Sequence, residues 1–400
     1  MVAFQRTSTA WIIILILGTI LLVLSHFARP FIYLNDDVDI YQSIGEAVWR
    51  SDDFLKSEYP PLTTALFALL HPPLLNVPFP DAWSAFLIVA CLGATAWTAW
   101  KCSLREACIV LFSLLATMVL LGLDVTWGRY DLLVGILILL TWLAHRHARF
   151  AAAGFFLMLA AGLKLVPIVL LPFLYVSTPK TSRRMMALGT IAGALITLVL
   201  PLVVIGPIGM IENLFYMIMF HAERGVQAES TWSGLTILWE VLHGRHATML
   251  FIFRSHQNVE VFSSASLFSL VLGLLGIVGV FLRRKTNGEI APIFLSALSL
   301  LLAFSTVLSP QYFSWILPLL LTWSIIDLTS EKPARLIVPI LCTGSAVAIL
   351  TNVIYEPLYL NLVDRQDFLP TLVLNLRNGL IFVLAWLTCD AVSYNVPARR

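Results

Sequence analysis

What most constrains this chain is a series of long, nearly uncharged apolar runs, at residues 11–28, 82–100, 106–123, 131–144, 187–206, 261–282, 290–307, 313–328, 336–352 and 371–390. A helix rises 1.5 Å per residue, so ~20 such residues cross a hydrocarbon core of ~30 Å. The runs are continuous rather than alternating. A spanning segment must also pair its own backbone groups, so the runs predict α-helices and exclude a lipid-embedded barrel. Charged residues make up only 12% of the chain and hydrophobic residues 59%, which excludes a water-soluble core of this length. The expected fold is all-α: a polytopic integral membrane protein with about 12 transmembrane helices, forming a single transmembrane domain over residues 1–400.

Two segments leave the crossing count open. Residues 150–176 lie between the basic runs His145 to Arg149 and Lys180 to Arg184, so both ends read as cytoplasmic. The segment is then a hairpin of two shortish helices with its turn near Lys164 and Pro167. Residues 62–77 are apolar but interrupted by Pro72-Pro73, and are expected as a helix lying in the outer interface. With those assignments the Lys and Arg residues gather inside, as the positive-inside rule requires. Both termini become cytoplasmic, in a plasma-membrane protein whose acids face outward. The first run follows Arg6 and lacks a small-x-small cleavage site, so it reads as an uncleaved anchor. Two outer loops, at about residues 29–81 and 207–260, are far longer than ordinary helix connections. Their aromatic content and short amphipathic stretches predict order. The five cysteines fall in spans or on cytoplasmic flanks, so neither a disulfide framework nor a thiolate metal site is expected. A net charge of +2 with no basic outer cluster gives no nucleic-acid footprint.

The polar residues that remain fall in a few places. Asn35-Asp36-Asp37-Val38-Asp39-Ile40-Tyr41 crowds three carboxylates together, which suits general-base work or cation binding and equally suits an acidic interfacial loop. Glu58-Tyr59-Pro60-Pro61 fixes a carboxylate and a ring at a helix start, with Pro60 holding Tyr59 extended. Arg129 and Asp131 flank another helix start, where an Asp is favoured by the dipole alone. Lys164 is a lone cation within an apolar hairpin and must meet an anion or reach a surface, since an unpaired charge costs at least ~2.5 kcal/mol at a bilayer centre. His221 and Arg224 are one helical turn apart and can address a single phosphate, or can lie on a solvated turn. Arg377 can hold a lipid headgroup or snorkel. On the expected topology these groups share the outer boundary layer, as transfer from a lipid-phosphate donor requires. No P-loop, nucleotide fingerprint or zinc signature appears.

In these residues the chain resembles the membrane glycosyltransferases of the GT-C superfamily, most closely glycosyltransferase family 87, whose members use polyprenyl-phosphate-mannose. The resemblance rests on Asp-x-x-x-Tyr at Asp37 to Tyr41, Glu-Tyr-Pro-Pro at Glu58 to Pro61 and Gly-Arg-Tyr-Asp at Gly128 to Asp131. It continues with Gly-Leu-Lys-x-x-Pro at Gly162 to Pro167, the run His221 to Ser230, Ser309 to Tyr312 and Leu376 to Asn378. It implies a GT-C type fold and an inverting transfer of a sugar, mannose by family precedent, from polyprenyl phosphate to an envelope glycolipid or glycan on the outer face. Asp37 is the implied base and Asp39 its rival. His221, Arg224 and Lys164, with Arg129 or Arg377, are implied at the donor phosphate. Tyr41, Glu58, Tyr59, Gln227, Glu229 and Gln311 are implied at the sugar or acceptor. The lipid-linked sugar is substrate, and no metal or other cofactor is implied. The partners are that donor, the acceptor and membrane lipids. The main rival reading is a lipid or glycolipid transporter or flippase, which would place its polar groups at the bilayer midplane, often in repeated halves.

Overall fold

The computed structural model describes residues 36–50, 55–71, 77–252, 255–261, 265–283, 289–329 and 335–393, with Ile16, Ile20 and Val23. The expected anchor at 11–28 and the Pro72-Pro73 break therefore lie almost wholly outside the described residues. The described residues are mostly helical (82%). It folds as two compact units, Met1–Ala222 and Glu223–Arg400.

The first unit contains α1 (Asp36–Arg50), α2 (Pro61–Leu70), α3 (Phe79–Lys101), α4 (Leu104–Leu121), the single turn α5 (Leu123–Trp127) and α6 (Asp131–Arg146). These are followed by α7 (Phe150–Leu163), a 3-10 turn at Val166–Leu170, α8 (Leu171–Ser177), α9 (Arg183–Val204) and most of α10 (Gly206–Glu223). The second unit contains α11 (Thr231–Leu242), an antiparallel hairpin of β1 (Met249–Ile252) and β2 (Ser255–Asn258), and then α12 (Ala265–Arg283) and α13 (Ile290–Phe304). A 3-10 stretch, Pro310–Trp315, leads into α14 (Leu317–Leu328), α15 (Ile337–Val353) and α16 (Phe368–Ser393). The hairpin is the one departure from all-α among the described residues.

Among the described residues, five helical segments are long and apolar enough to cross a membrane: Phe79–Lys101, Leu104–Leu121, Lys180–Val204, Ile337–Leu358 and Phe368–Val392. They coincide with five of the predicted runs. The run expected at 313–328 is divided between a 3-10 stretch and a helix of 12 residues, too short at 1.5 Å per residue to span ~30 Å alone. The described residues of 207–260 form helices and a hairpin rather than one long loop, and an 18-residue helix fills the segment's start.

The expected hairpin at 150–176 breaks where predicted. Lys164 closes α7 in an extended conformation, and a 3-10 turn follows at Val166–Leu170. Helix α2 differs from expectation. Leu62, Thr63, Thr64, Ala65, Phe67 and Ala68 are all buried, packed against α1, α7 and α9. Most of its surface is therefore covered by protein, with Leu69 exposed at 44%.

Lipid tails are as apolar as leucine, so helices in a membrane associate through close packing rather than hydrophobic expulsion. The α7–α9 contact is built that way. Gly189 and Gly193 lie one turn apart on α9 against Ala151 and Phe155, and a Cβ on Gly193 would sit 2.7 Å from the Phe155 carbonyl. Away from the glycines, α9 exposes Leu188, Ile191, Leu195, Leu198 and Leu202, as a lipid-facing stripe does.

Candidate active site

The first unit gathers most of the sequence-predicted groups. In α1 the residues Val38, Tyr41 and Ile44 are buried at 0%, 1% and 4% exposure, which fixes the helix's inward face. Asp37, four residues before Tyr41, shares that side. Asp39 is 200° further round and exposed. Gly45 lets α1 approach α2, since a Cβ there would lie 2.7 Å from the Phe67 carbonyl oxygen.

Asp37 forms an ion pair with Arg129, the side chains being 18% and 14% exposed. Arg129 stands on the tight turn between α5 and α6. That turn is fixed by Trp83 Nε1, which donates to the Trp127 carbonyl at 2.8 Å, and by Gly128 N, which donates to the Asp124 carbonyl at 3.1 Å. Beside the pair lies an aromatic cluster. The Tyr41 ring stacks on Phe67 at 4.3 Å between centroids and meets Tyr59 at 5.5 Å and Tyr130 at 5.9 Å, both edge to face. Tyr41 is only 1% exposed and packs beside Asp37, whereas the residue Tyr59 is half-buried. Burial first, and then the Asp37 charge, holds the Tyr41 hydroxyl well above the usual tyrosine range. Burial and the neighbouring Tyr41, Glu58 and Asp37 do the same for Tyr59. Both phenols are therefore neutral hydroxyls at physiological pH.

The lone cation of the apolar hairpin meets its anion within the protein. Lys164 Nζ is 3.1 Å from Asp131 Oδ1, with Asp131 only 1% exposed and Lys164 18%. The ammonium also lies 5.0 Å from the Tyr130 ring centroid. Asp131 is at the first position of α6, where the dipole favours it, and its pairing with Lys164 gives it a role beyond that. Thr63 Oγ1 donates to the Leu163 carbonyl at 2.7 Å and so anchors the chain one residue before Lys164.

The Glu58-Tyr59 segment is clasped by α10. Asn213 is fully buried and its Nδ2 donates to the carbonyls of Ser57 and Tyr59, both at 2.9 Å. Leu55 N donates to Glu212 Oε2 at 3.2 Å. His221 is exposed, and its Nε2 lies 3.2 Å from the Glu58 carbonyl. Because a carbonyl only accepts, Nε2 carries the proton in that contact. Glu212 and Asn213 escaped the sequence reading because nothing in an apolar helix marks which polar residue will meet a loop more than 150 positions away.

In the second unit, the polar run after Arg224 is buried rather than solvated. Gln227, Glu229 and Ser230 are 3%, 6% and 0% exposed. Ala228 N donates to the His256 carbonyl and Asn258 N to the Val226 carbonyl, both at 2.9 Å, laying the run along β2. Gln257 Oε1 accepts from Gly225 N at 2.9 Å, and Ser230 caps α11. Arg377, 2% exposed, neither snorkels nor faces a surface: its Nη2 donates to the Glu229 carbonyl at 3.0 Å. Gln227 accepts from Ser309 at 3.5 Å, and Gln311 is 9% exposed. Gln227 and Glu229 are thus interior groups of a hairpin-supported turn, and Gln311 is a buried residue of the Pro310–Trp315 3-10 stretch. Gln257 and the hairpin itself were missed because four-residue strands carry too little alternation to register.

The family model for glycosyltransferase family 87 matches residues 58–310. That span includes Glu58, Tyr59, Arg129, Asp131, Lys164, His221 and Arg224, while Asp37, Tyr41, Gln311 and Arg377 lie outside it. No curated protein and no solved structure matches the chain. With more than half its length matched, the chain belongs to glycosyltransferase family 87, and it is a membrane glycosyltransferase that takes a sugar donor and an acceptor.

Proposed function

We propose that this glycosyltransferase moves a sugar, mannose by family precedent, from polyprenyl phosphate to an envelope glycolipid or glycan on the outer face of the plasma membrane. The observation that carries the reading is the juxtaposition in one unit of Asp37–Arg129, Asp131–Lys164 and the Tyr41–Tyr59–Tyr130 cluster. Asp37 is the base. Arg129 orients its carboxylate, and Tyr41 backs it with a neutral ring that cannot compete for the acceptor's proton. Asp37 takes the proton of the acceptor hydroxyl as that oxygen attacks the anomeric carbon, and the bond to the lipid phosphate oxygen breaks with inversion. The phosphodiester oxygen leaves as a phosphate anion, so no general acid is needed. Lys164 and His221 stabilise that charge, and a preorganised donor of this kind is worth ~3 kcal/mol of barrier. Arg129 and Lys164 are each paired with a carboxylate, so the protein's own charges at the site nearly balance and a phosphate can draw on both cations. Glu58 and Tyr59 position the sugar or acceptor. Arg224 is the cation that the family resemblance adds. We assign the transfer no metal and no nucleotide, and retain about 12 crossings with cytoplasmic termini as the topology.

The test is transfer of labelled sugar from polyprenyl-phosphate-mannose to membrane acceptors by wild-type protein in liposomes, compared with Asp37→Asn, Asp39→Asn and Arg224→Ala. Loss in Asp37→Asn with transfer kept in Asp39→Asn supports the assignment. Transfer kept in Asp37→Asn removes Asp37 as base, and no transfer by wild type with any prenyl-phosphate sugar removes the donor class.

A further inference from the structure

A second group of chemistry-bearing side chains lies at the other end of α6. Cys102 follows α3, Glu106 is in the first turn of α4, and His147 follows α6. Their Sγ, carboxylate oxygen and imidazole nitrogen all lie within 4.8 Å of one another. Asp131 and His147 are separated by the length of α6, 16 residues or ~24 Å of rise, so this cluster is not part of the site above.

We propose that Cys102, Glu106 and His147 form a binding site for a thiophilic divalent cation of the zinc class, with a fourth position open to water. Ligand type points to that class: one thiolate, one imidazole and one carboxylate are the donors Zn²⁺ takes, and hard cations avoid thiolate. The geometry is close to competent. Tetrahedral zinc with bonds of ~2.0–2.3 Å needs ligand atoms ~3.3–3.8 Å apart. His147 Nε2 is already 3.0 Å from Glu106, and closing the widest separation requires ~1 Å of side-chain movement.

The backbone holding the ligands is fixed. Cys102 N donates to Thr98 O at 2.8 Å, His147 N to Leu143 O at 3.0 Å and Arg149 N to Ala144 O at 2.7 Å. Ser103 Oγ accepts from Glu106 N at 3.1 Å, and it donates to Glu106 Oε2 at 2.9 Å, orienting the carboxylate from behind. Arg146 Nε stands 3.9 Å from Glu106 Oε1 and is the group a bound cation displaces. All three ligands are partly exposed, so an ion has access. The sequence argued against a thiolate metal site because the cysteines fall in spans or on cytoplasmic flanks; only the packing of α6 against α3 brings His147 to Cys102 and Glu106.

The test uses full-length protein in detergent, stripped with chelator and titrated with Zn²⁺ or Co²⁺ against a chromophoric competitor, with cysteine alkylation mapped by mass spectrometry. Three results are expected: one equivalent bound at submicromolar Kd, a thiolate-to-cobalt charge-transfer band in the near ultraviolet, and Zn²⁺ protection of Cys102 but not Cys108 from maleimide. Cys102→Ser and His147→Gln lose the band and weaken binding at least tenfold, while Cys108→Ser keeps both. No binding below 100-fold higher concentration, or Cys102 labelling indifferent to Zn²⁺ in the wild type, overturns the proposal without recourse to any variant.

Discussion

The Asp131–Lys164 pair allows a structural role and a catalytic role to be separated. Asp131 is 1% exposed and Lys164 18%, with 3.1 Å between Nζ and Oδ1. At an effective dielectric constant of ~20 the attraction at that distance is about 5 kcal/mol, a ceiling before desolvation is counted. Lys164→Met leaves the carboxylate buried without its cation and costs ~3–5 kcal/mol. Asp131→Asn leaves a more exposed ammonium that water can reach, and costs ~1–3 kcal/mol. The double variant Lys164→Met/Asp131→Asn buries no charge at either position. It is therefore expected to be less destabilised than Lys164→Met alone, with a coupling of ~2–4 kcal/mol. The assay is a double-mutant cycle of unfolding in mixed micelles. Additive effects within ~0.5 kcal/mol would refute the pairing. Activity gives the second axis. If Lys164 acts at the departing phosphate, the double variant regains stability and still loses transfer ~10²-fold or more; regained transfer would make Lys164 purely structural.

Four further expectations follow from the same geometry. Asp37→Asn lowers transfer by ~10²–10⁴-fold while the exposed Asp39→Asn stays within a few-fold, read from initial rates in liposomes. Asn213→Ala removes two hydrogen bonds from buried loop carbonyls, costs ~2–3 kcal/mol, and exposes residues 55–60 to proteolysis with a higher KM. Tyr41 is held above its unfolded pKa of ~10, so its contribution to stability is present below pH ~10 and is lost as pH rises through the folded value. Alkaline unfolding followed by tyrosinate absorbance is therefore weaker in Tyr41→Phe. Gly193→Leu places side-chain atoms against the Phe155 backbone and costs ~3 kcal/mol or more by separating α7 from α9, seen as a lowered Tm, whereas Leu195→Phe on the exposed side leaves Tm nearly unchanged.

The sequence by itself determined the solvent, the element type and the class of reaction. Long uncharged runs permit only helices in lipid, and the Pro60-Pro61 and Lys164-Pro167 punctuation placed a helix start and a break where the structure has them. The motif set named the family that the match over 58–310 shows. It also singled out Asp37, Arg129 and Lys164 as residues needing an explanation, because charge beside apolar sequence always needs one. Only the tertiary structure decided how those charges are answered. Nothing in spacing says that Arg129 finds Asp37 across more than 90 positions, that Asp131 absorbs Lys164, or that Arg377 closes on the Glu229 carbonyl. Tyr41 and Tyr59 carry the same side chain, yet one is sealed inside a cluster and the other is only half-buried. The physical reason is that periodicity reports a residue's own face, whereas pairing depends on where a second element returns. In a chain whose helices associate by close packing rather than by expulsion from water, that return is set by small residues such as Gly189 and Gly193 and by buried polar contacts such as Asn213, whose significance exists only once their partners are in place.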